Sequence, residues 1–147
     1  MFHYSSFSRT FLPMAYWLLK TEPSEYSFDD LVREKRTVWS GVKNALALKH
    51  LRTMEKGDLV FVYHTGAEKC IVGIAEVVSQ PYQDTGQEKP SLVVIDLRPV
   101  QRLAHPVPVA AVNARKEFAG FPLVHLPRLS VMPVTGVQWR TLLTMSH

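Results

Sequence analysis

Among the 147 residues there is one cysteine, Cys70, so an intramolecular disulfide and a multi-cysteine zinc site are both excluded. Cys70 opens the strand-like run Cys-Ile-Val-Gly-Ile-Ala, where it reads as a small buried apolar residue in a reducing cytoplasm. No apolar run is long enough to cross a bilayer, which argues against a membrane partner. Residues 1–13 are aromatic and Ser-rich with Arg9 alone, and they lack the longer apolar centre and small-residue cleavage site of a signal peptide. Met14 stands at the start of the first strand pattern. Residues 1–13 are therefore read as an extension or a misplaced start, and residues 14–147 as one domain.

Catalytic signatures are missing too. There is no Gly-rich phosphate loop, no Gly-x-Ser-x-Gly elbow and no His-Glu-x-x-His pair. His3, His50, His64, His105, His125 and His147 are scattered without ligand spacing, so neither a metal nor a cofactor is expected. Glu22 and Glu25 form the one pair of carboxylates that acid–base work could recruit, but their corner and loop positions read as solvated charges. The sequence does not describe an enzyme. Its net charge of +4 leans toward a polyanionic partner, and the absence of a polybasic block keeps that a lean only.

What the chain does contain is a regular alternation of strand and helix signals. Residues 15–20 are apolar on both faces, as in a central strand. Ser27 and Asp30 have the spacing of a helix N-cap with an acidic first turn, followed by Phe28, Leu31 and Val32 as a short apolar face. Residues 44–54 form a better helix, with Leu46, Leu48, Leu51 and Met54 roughly along one side. Residues 59–64 and 71–79 read as a hairpin around a short polar loop. Residues 81–90 are turn-rich. Residues 91–103 return as a long strand in which Pro99 requires an edge or a bulge. Short helical pieces near Ala110 and Glu117, a last strand over 129–132 and a helix capped by Thr135 complete the pattern, with Val137, Trp139, Leu142 and Leu143 available to pack. The order argues for an α+β fold with a small mixed or antiparallel sheet, closed in the limit as a barrel.

The most informative stretch is residues 16–44: an apolar strand, a Lys-Thr-Glu-Pro corner, and Trp39 in a Ser-Gly turn before a basic helix. Polar groups at a strand end beside an aromatic in a glycine turn suit a flat ligand with hydrogen-bonding edges. Five segments then resemble the EVE domain family of the PUA-like group: Tyr-Trp-Leu-Leu-Lys-Thr-Glu-Pro at 16–23, Trp-Ser-Gly-Val-Lys-Asn at 39–44, Gly-Asp-Leu-Val-Phe-Val-Tyr-His at 57–64, Ile-Val-Gly-Ile-Ala-Glu-Val at 71–77 and Arg-Leu-Ser-Val-Met-Pro-Val at 128–134. They occur in order over nearly the whole chain. The resemblance implies a PUA-like mixed β-barrel of five to six strands flanked by short helices, with a pocket that reads modified bases in nucleic acid. The YTH domain, a reader of methylated adenine, is similar at a greater distance, through Lys20-Thr21 and Trp39-Ser40. Two departures stand out. Lys43 replaces the family's usual arginine, keeping the charge but losing the planar fork. The 81–90 loop is short, with Tyr82 as its sole aromatic.

On this reading Trp39 is the stacking wall or, alternatively, a plug in the barrel end, with Ser40, Gly41 and Val42 bringing the main chain to the base edge. Lys20 and Thr21 emerge at the strand end to meet phosphate, carbonyl or base, or Lys20 pairs with a carboxylate. Trp17 shares the strand and reads more readily as core. Asn44 matches an amide-like base edge or caps a helix. His64 offers an imidazole at a strand end or is a structural histidine. Ser130 and Met132 carry the last motif, Met132 as polarizable lid or as core filler. Arg128, Lys43 and Lys49 are candidates for phosphate contacts or read more readily as ordinary solvated charges, and Tyr82 is the candidate for a second pocket wall. The expected partner is RNA or DNA, or a free nucleoside-like molecule in the same pocket, bound by a monomer.

Overall fold

A computed structural model describes residues 15–85 and 92–147. The N-terminal extension and residues 86–90 of the turn-rich loop lie outside the described residues. Among the described residues the strands are β1 (Tyr16–Thr21), β2 (Thr37–Trp39), β3 (Leu59–His64), β4 (Cys70–Val77), β5 (Tyr82–Gln83), β6 (Val93–Pro108) and β7 (Val131–Val134). Six of them form one mixed sheet in the order β2-β6-β4-β3-β1-β7, and the two-residue β5 pairs with β6. β1 runs parallel to β3 and antiparallel to β7, so it is internal, as its two apolar faces require. The sheet curls as a half-barrel.

The helices are α1 (Phe28–Glu34), α2 (Ala45–Thr53), α3 (Val109–Asn113), α4 (Pro122–His125) and α5 (Gly136–Met145), with a 3-10 turn at Lys116–Phe118. Helix α2 packs against β6 and β7 and so covers the gap between the two ends of the curl. It buries Ala47, Leu48 and Leu51, while Leu46 stays 41% exposed. Leu46 was expected on the apolar face; the stripe is in fact one residue narrower. Val32 in α1 and Val137 in α5 are likewise exposed rather than packed. Trp139 of α5 stacks on Phe61 at 3.8 Å and on Tyr16 at 4.5 Å between ring centroids.

Local chemistry fixes the helix starts. Ser27 accepts from Asp30 N–H at 3.1 Å while the Asp30 carboxylate accepts from Ser27 N–H at 2.8 Å, a reciprocal capping box. Thr135 and Gln138 repeat the device at α5. The β3–β4 hairpin forms as expected, with a register shift between Val62 and Tyr63. The β4–β6 ladder shifts twice, once opposite Pro99 and Gln101, where the proline demanded it, and again between Ile71 and Gly73. Cys70 is partly exposed, not buried, because it begins its strand; its partial burial still pushes the thiol up from its ordinary value.

Candidate nucleic-acid interface

The corner after β1 and the turn after β2 face each other across a cavity of about 380 Å³. Lys20, Thr21, Trp39, Ser40, Gly41, Val42, Lys43 and Ser130 all line it. The corner is tied down on both sides. Lys20 N–H donates to Ser130 O at 3.0 Å, joining β1 to the segment before β7, and the Thr21 hydroxyl donates to Tyr26 O at 2.7 Å. Gly41 has φ of +85°, the left-handed region that glycine enters without strain. That turn brings the chain from Trp39 to the start of α2.

Trp39 is 7% exposed and meets Tyr26 edge-on, with ring centroids 6.0 Å apart and an interplanar angle of 86°. It forms the cavity's floor more than a free-standing wall. Lys20 donates from Nζ to Pro127 O at 2.7 Å and lies 5.7 Å from the Tyr63 ring centre, so its partner is a carbonyl, not a carboxylate. Burial holds its ammonium below the ordinary lysine value.

The lining also includes Tyr26, Thr37 and Val38, which the sequence did not single out, and Glu22 and Glu25, which it read as solvated charges outside the site. Glu22 accepts from both the backbone N–H and the hydroxyl of Ser24 at 3.1 Å, and these bonds hold its carboxyl below the usual value. Tyr26 donates to Glu34 Oε1 at 2.7 Å, and burial foremost, with that contact, pushes its phenol up to about 12. The phenol is therefore a neutral donor at physiological pH. A raised folded value means that folding loses support as pH climbs from 10 toward about 12, because the unfolded chain ionises first. Alkaline urea titrations should show this loss, and Tyr26→Phe should remove its share. Tyr26 carried a sequence signal, standing two residues beyond the Lys-Thr-Glu-Pro-Ser corner.

Other expected site residues stand elsewhere. Trp17 donates from Nε1 to buried Asp58 Oδ2 at 2.9 Å, a core contact. His64 is buried with both ring nitrogens engaged: Nε2 accepts from Phe28 N–H at 3.0 Å and Nδ1 meets Glu68 Oε1 at 2.8 Å. Met132 is fully buried as core filler. Tyr82 is exposed on β5 and donates to Asp96 Oδ1 at 2.6 Å, on the far side of β2's partner strand, and is absent from the cavity lining. Asn44 accepts from Ala47 N–H at 3.0 Å as the cap of α2. Asn44 and Arg128 border a second groove, and Lys49 is exposed on α2. Among the described residues no cluster of three or more His, Cys, Asp or Glu side chains could hold a metal ion, and no helix is long and apolar enough to cross a membrane.

Comparison with known proteins places this geometry. The chain is 38% identical to Rpa0253 from Rhodopseudomonas palustris, whose NMR structure superposes with a TM-score of 0.86 over 90% of this chain and 93% of that one. Thymocyte nuclear protein 1 of Gallus gallus is 27% identical over 166 aligned residues, spanning 90% of this chain and 69% of the relative. The human THYN1 protein, crystallised in complex with 5-methylcytosine containing DNA, shares the fold at 24% identity, with a TM-score of 0.82 over 90% of this chain and 98% of that one. The EVE domain model matches residues 15–145, and the chain belongs to the EVE domain family.

Proposed function

We propose that this chain is a non-catalytic nucleic-acid-binding module that holds a modified base in the cavity between the Lys20-Thr21 corner and the Trp39-Ser40-Gly41 turn. The observation that carries the reading is the convergence of those two segments on one cavity with an aromatic floor. An unstacked base gains from an aromatic surface and from main-chain and hydroxyl groups at its edge. The DNA-bound human THYN1 relative supports nucleic acid as the partner.

Binding of 5-methylcytosine single strands and their unmodified counterparts, followed by fluorescence anisotropy across a salt series, tests the reading. A preference for the modified base, with affinity falling as salt rises, is the expected result. Equal background signal for both strands at low salt would sink it. Lys43 is exposed and makes no ion pair among the described residues. Lys43→Ala should therefore weaken modified and unmodified strands alike and lower the salt slope by about one contact.

A second reading has one observation in its favour. Glu22 and Glu25 line the cavity and repel phosphate, which suits a free nucleoside. Thermal stabilisation by the nucleoside, with none by the matching oligomer, would select it.

A further inference from the structure

A second groove of about 340 Å³ has lining residues adjacent in the chain to those of the cavity. Lys43 and Ser130 face the cavity; their chain neighbours Asn44 and Leu129 face the groove. The Lys20 ammonium, in the cavity lining, bonds to the carbonyl of Pro127 in the groove lining at 2.7 Å. These neighbours and that contact set the two spaces side by side, as adjoining nucleotides of one strand require.

Their chemistry differs in a way that divides labour. The cavity carries two carboxylates, Glu22 and Glu25, set against two lysines, Lys20 and Lys43. Among the described residues the groove carries no carboxylate; its charged or ionisable side chains there are Arg128 and His125. Arg128 is exposed and has no ion pair among the described residues. Leu46 and Leu126, 41% and 46% exposed, offer apolar surface beside it with Pro127. Two leucines held open to water beside Arg128, with no acid in the groove lining among the described residues, suit a flat apolar face linked to an anion.

We infer that this groove is a second subsite, which seats the nucleotide adjoining the base in the cavity, with its phosphate at Arg128 and its base against Leu46, Leu126 and Pro127. The inference rests on the base-reading proposal for the cavity and adds the class of ligand: a single strand of at least two nucleotides, read at one and gripped at the next. In the cavity Lys20 and Lys43 are offset by Glu22 and Glu25, whereas Arg128 meets no carboxylate in the groove lining, so the strand has a defined place to continue.

The test uses the full chain and three probes: 5-methyl-2′-deoxycytidine, a dinucleotide carrying that base, and a single-stranded hexamer carrying it once. Calorimetry should give the dinucleotide at least about tenfold tighter binding than the nucleoside, on the scale of one stacked base. Leu126→Glu, on an exposed side chain, should erase most of that gain and leave nucleoside affinity and thermal stability unchanged. Arg128→Gln should weaken the dinucleotide and hexamer and flatten their salt dependence. A dinucleotide bound within twofold of the nucleoside would overturn the subsite while leaving the base-reading cavity standing. A gain that survives Leu126→Glu and Arg128→Gln together would also overturn it. If none of the three probes binds, the cavity reading fails and the subsite fails with it.

Discussion

Gly73→Ala is expected to destabilise the fold by up to about 3 kcal/mol, read as a lower urea midpoint at unchanged slope. A Cβ at this position would stand 2.5 Å from Cε1 and Cζ of Phe28, closer than any tolerated carbon contact. The ring cannot retreat. It is 1% exposed, its backbone N–H is held by His64 Nε2 at 3.0 Å, and the Arg102 guanidinium carbon sits 5.6 Å from the ring centre while pairing with Asp29. Gly73 also lies at a register shift of the β4–β6 ladder, where the backbone already bends to admit the ring. Phe28→Ala should itself cost about 3–5 kcal/mol as a large core truncation. In that background Gly73→Ala should cost little, a coupling on the order of 1–3 kcal/mol. An equal loss from Gly73→Ala in both backgrounds would show that the ring is not the cause. The consequence reaches the site, because Phe28 opens α1 directly after the corner that lines the cavity.

The same cluster shows what the sequence can and cannot say. β3 was legible to the residue, since Leu-Val-Phe-Val-Tyr-His is β-rich and bounded by turns. Both caps, Ser27 with Asp30 and Thr135, were legible because a cap is a contact within one turn, while the reciprocal bond from Gln138 was not read. The parallel pairing of β1 with β3 and the wedge of Phe28 on Gly73 join residues tens of positions apart, and no local pattern encodes them. His64 is the sharpest instance. Its strand-end place fitted ligand and scaffold equally, and its partners Phe28 N–H and Glu68 decide for scaffold. Helical periodicity gave the direction of the apolar stripe in α2 but not its width, hence Leu46 in solvent. The helix Pro122–His125 was missed because four residues carry no period. At the site, Trp39 and the Lys20-Thr21 corner were singled out by the strand-end and glycine-turn pattern and by the resemblance to the EVE family, whereas Tyr26 was passed over because its contact with Trp39 forms only when β2 comes back alongside β6.

Trp39→Ala is expected to remove the preference for a modified base and to lower stability as well, and the two losses can be separated. Base–aromatic stacking contributes about 1–3 kcal/mol per base. At about 1.4 kcal/mol per tenfold, the modified strand should bind roughly ten- to a hundredfold more weakly. The side chain is also 7% exposed, so its removal should cost about 3–5 kcal/mol of folding free energy, a large share of a typical 5–15. Any binding measurement must therefore be made where far-ultraviolet circular dichroism shows the variant folded. Trp39→Phe keeps an aromatic face with a smaller packing loss. If Trp39 is the surface on which the base lies, the phenylalanine variant should retain part of the preference and the alanine variant none. If Trp39 only plugs the barrel end, both variants should lose stability in order of size, while the folded fraction of each discriminates as well as the wild type. Tyr26, the one other aromatic in the cavity lining, would then be the stacking surface, and Tyr26→Ala the substitution that abolishes the preference.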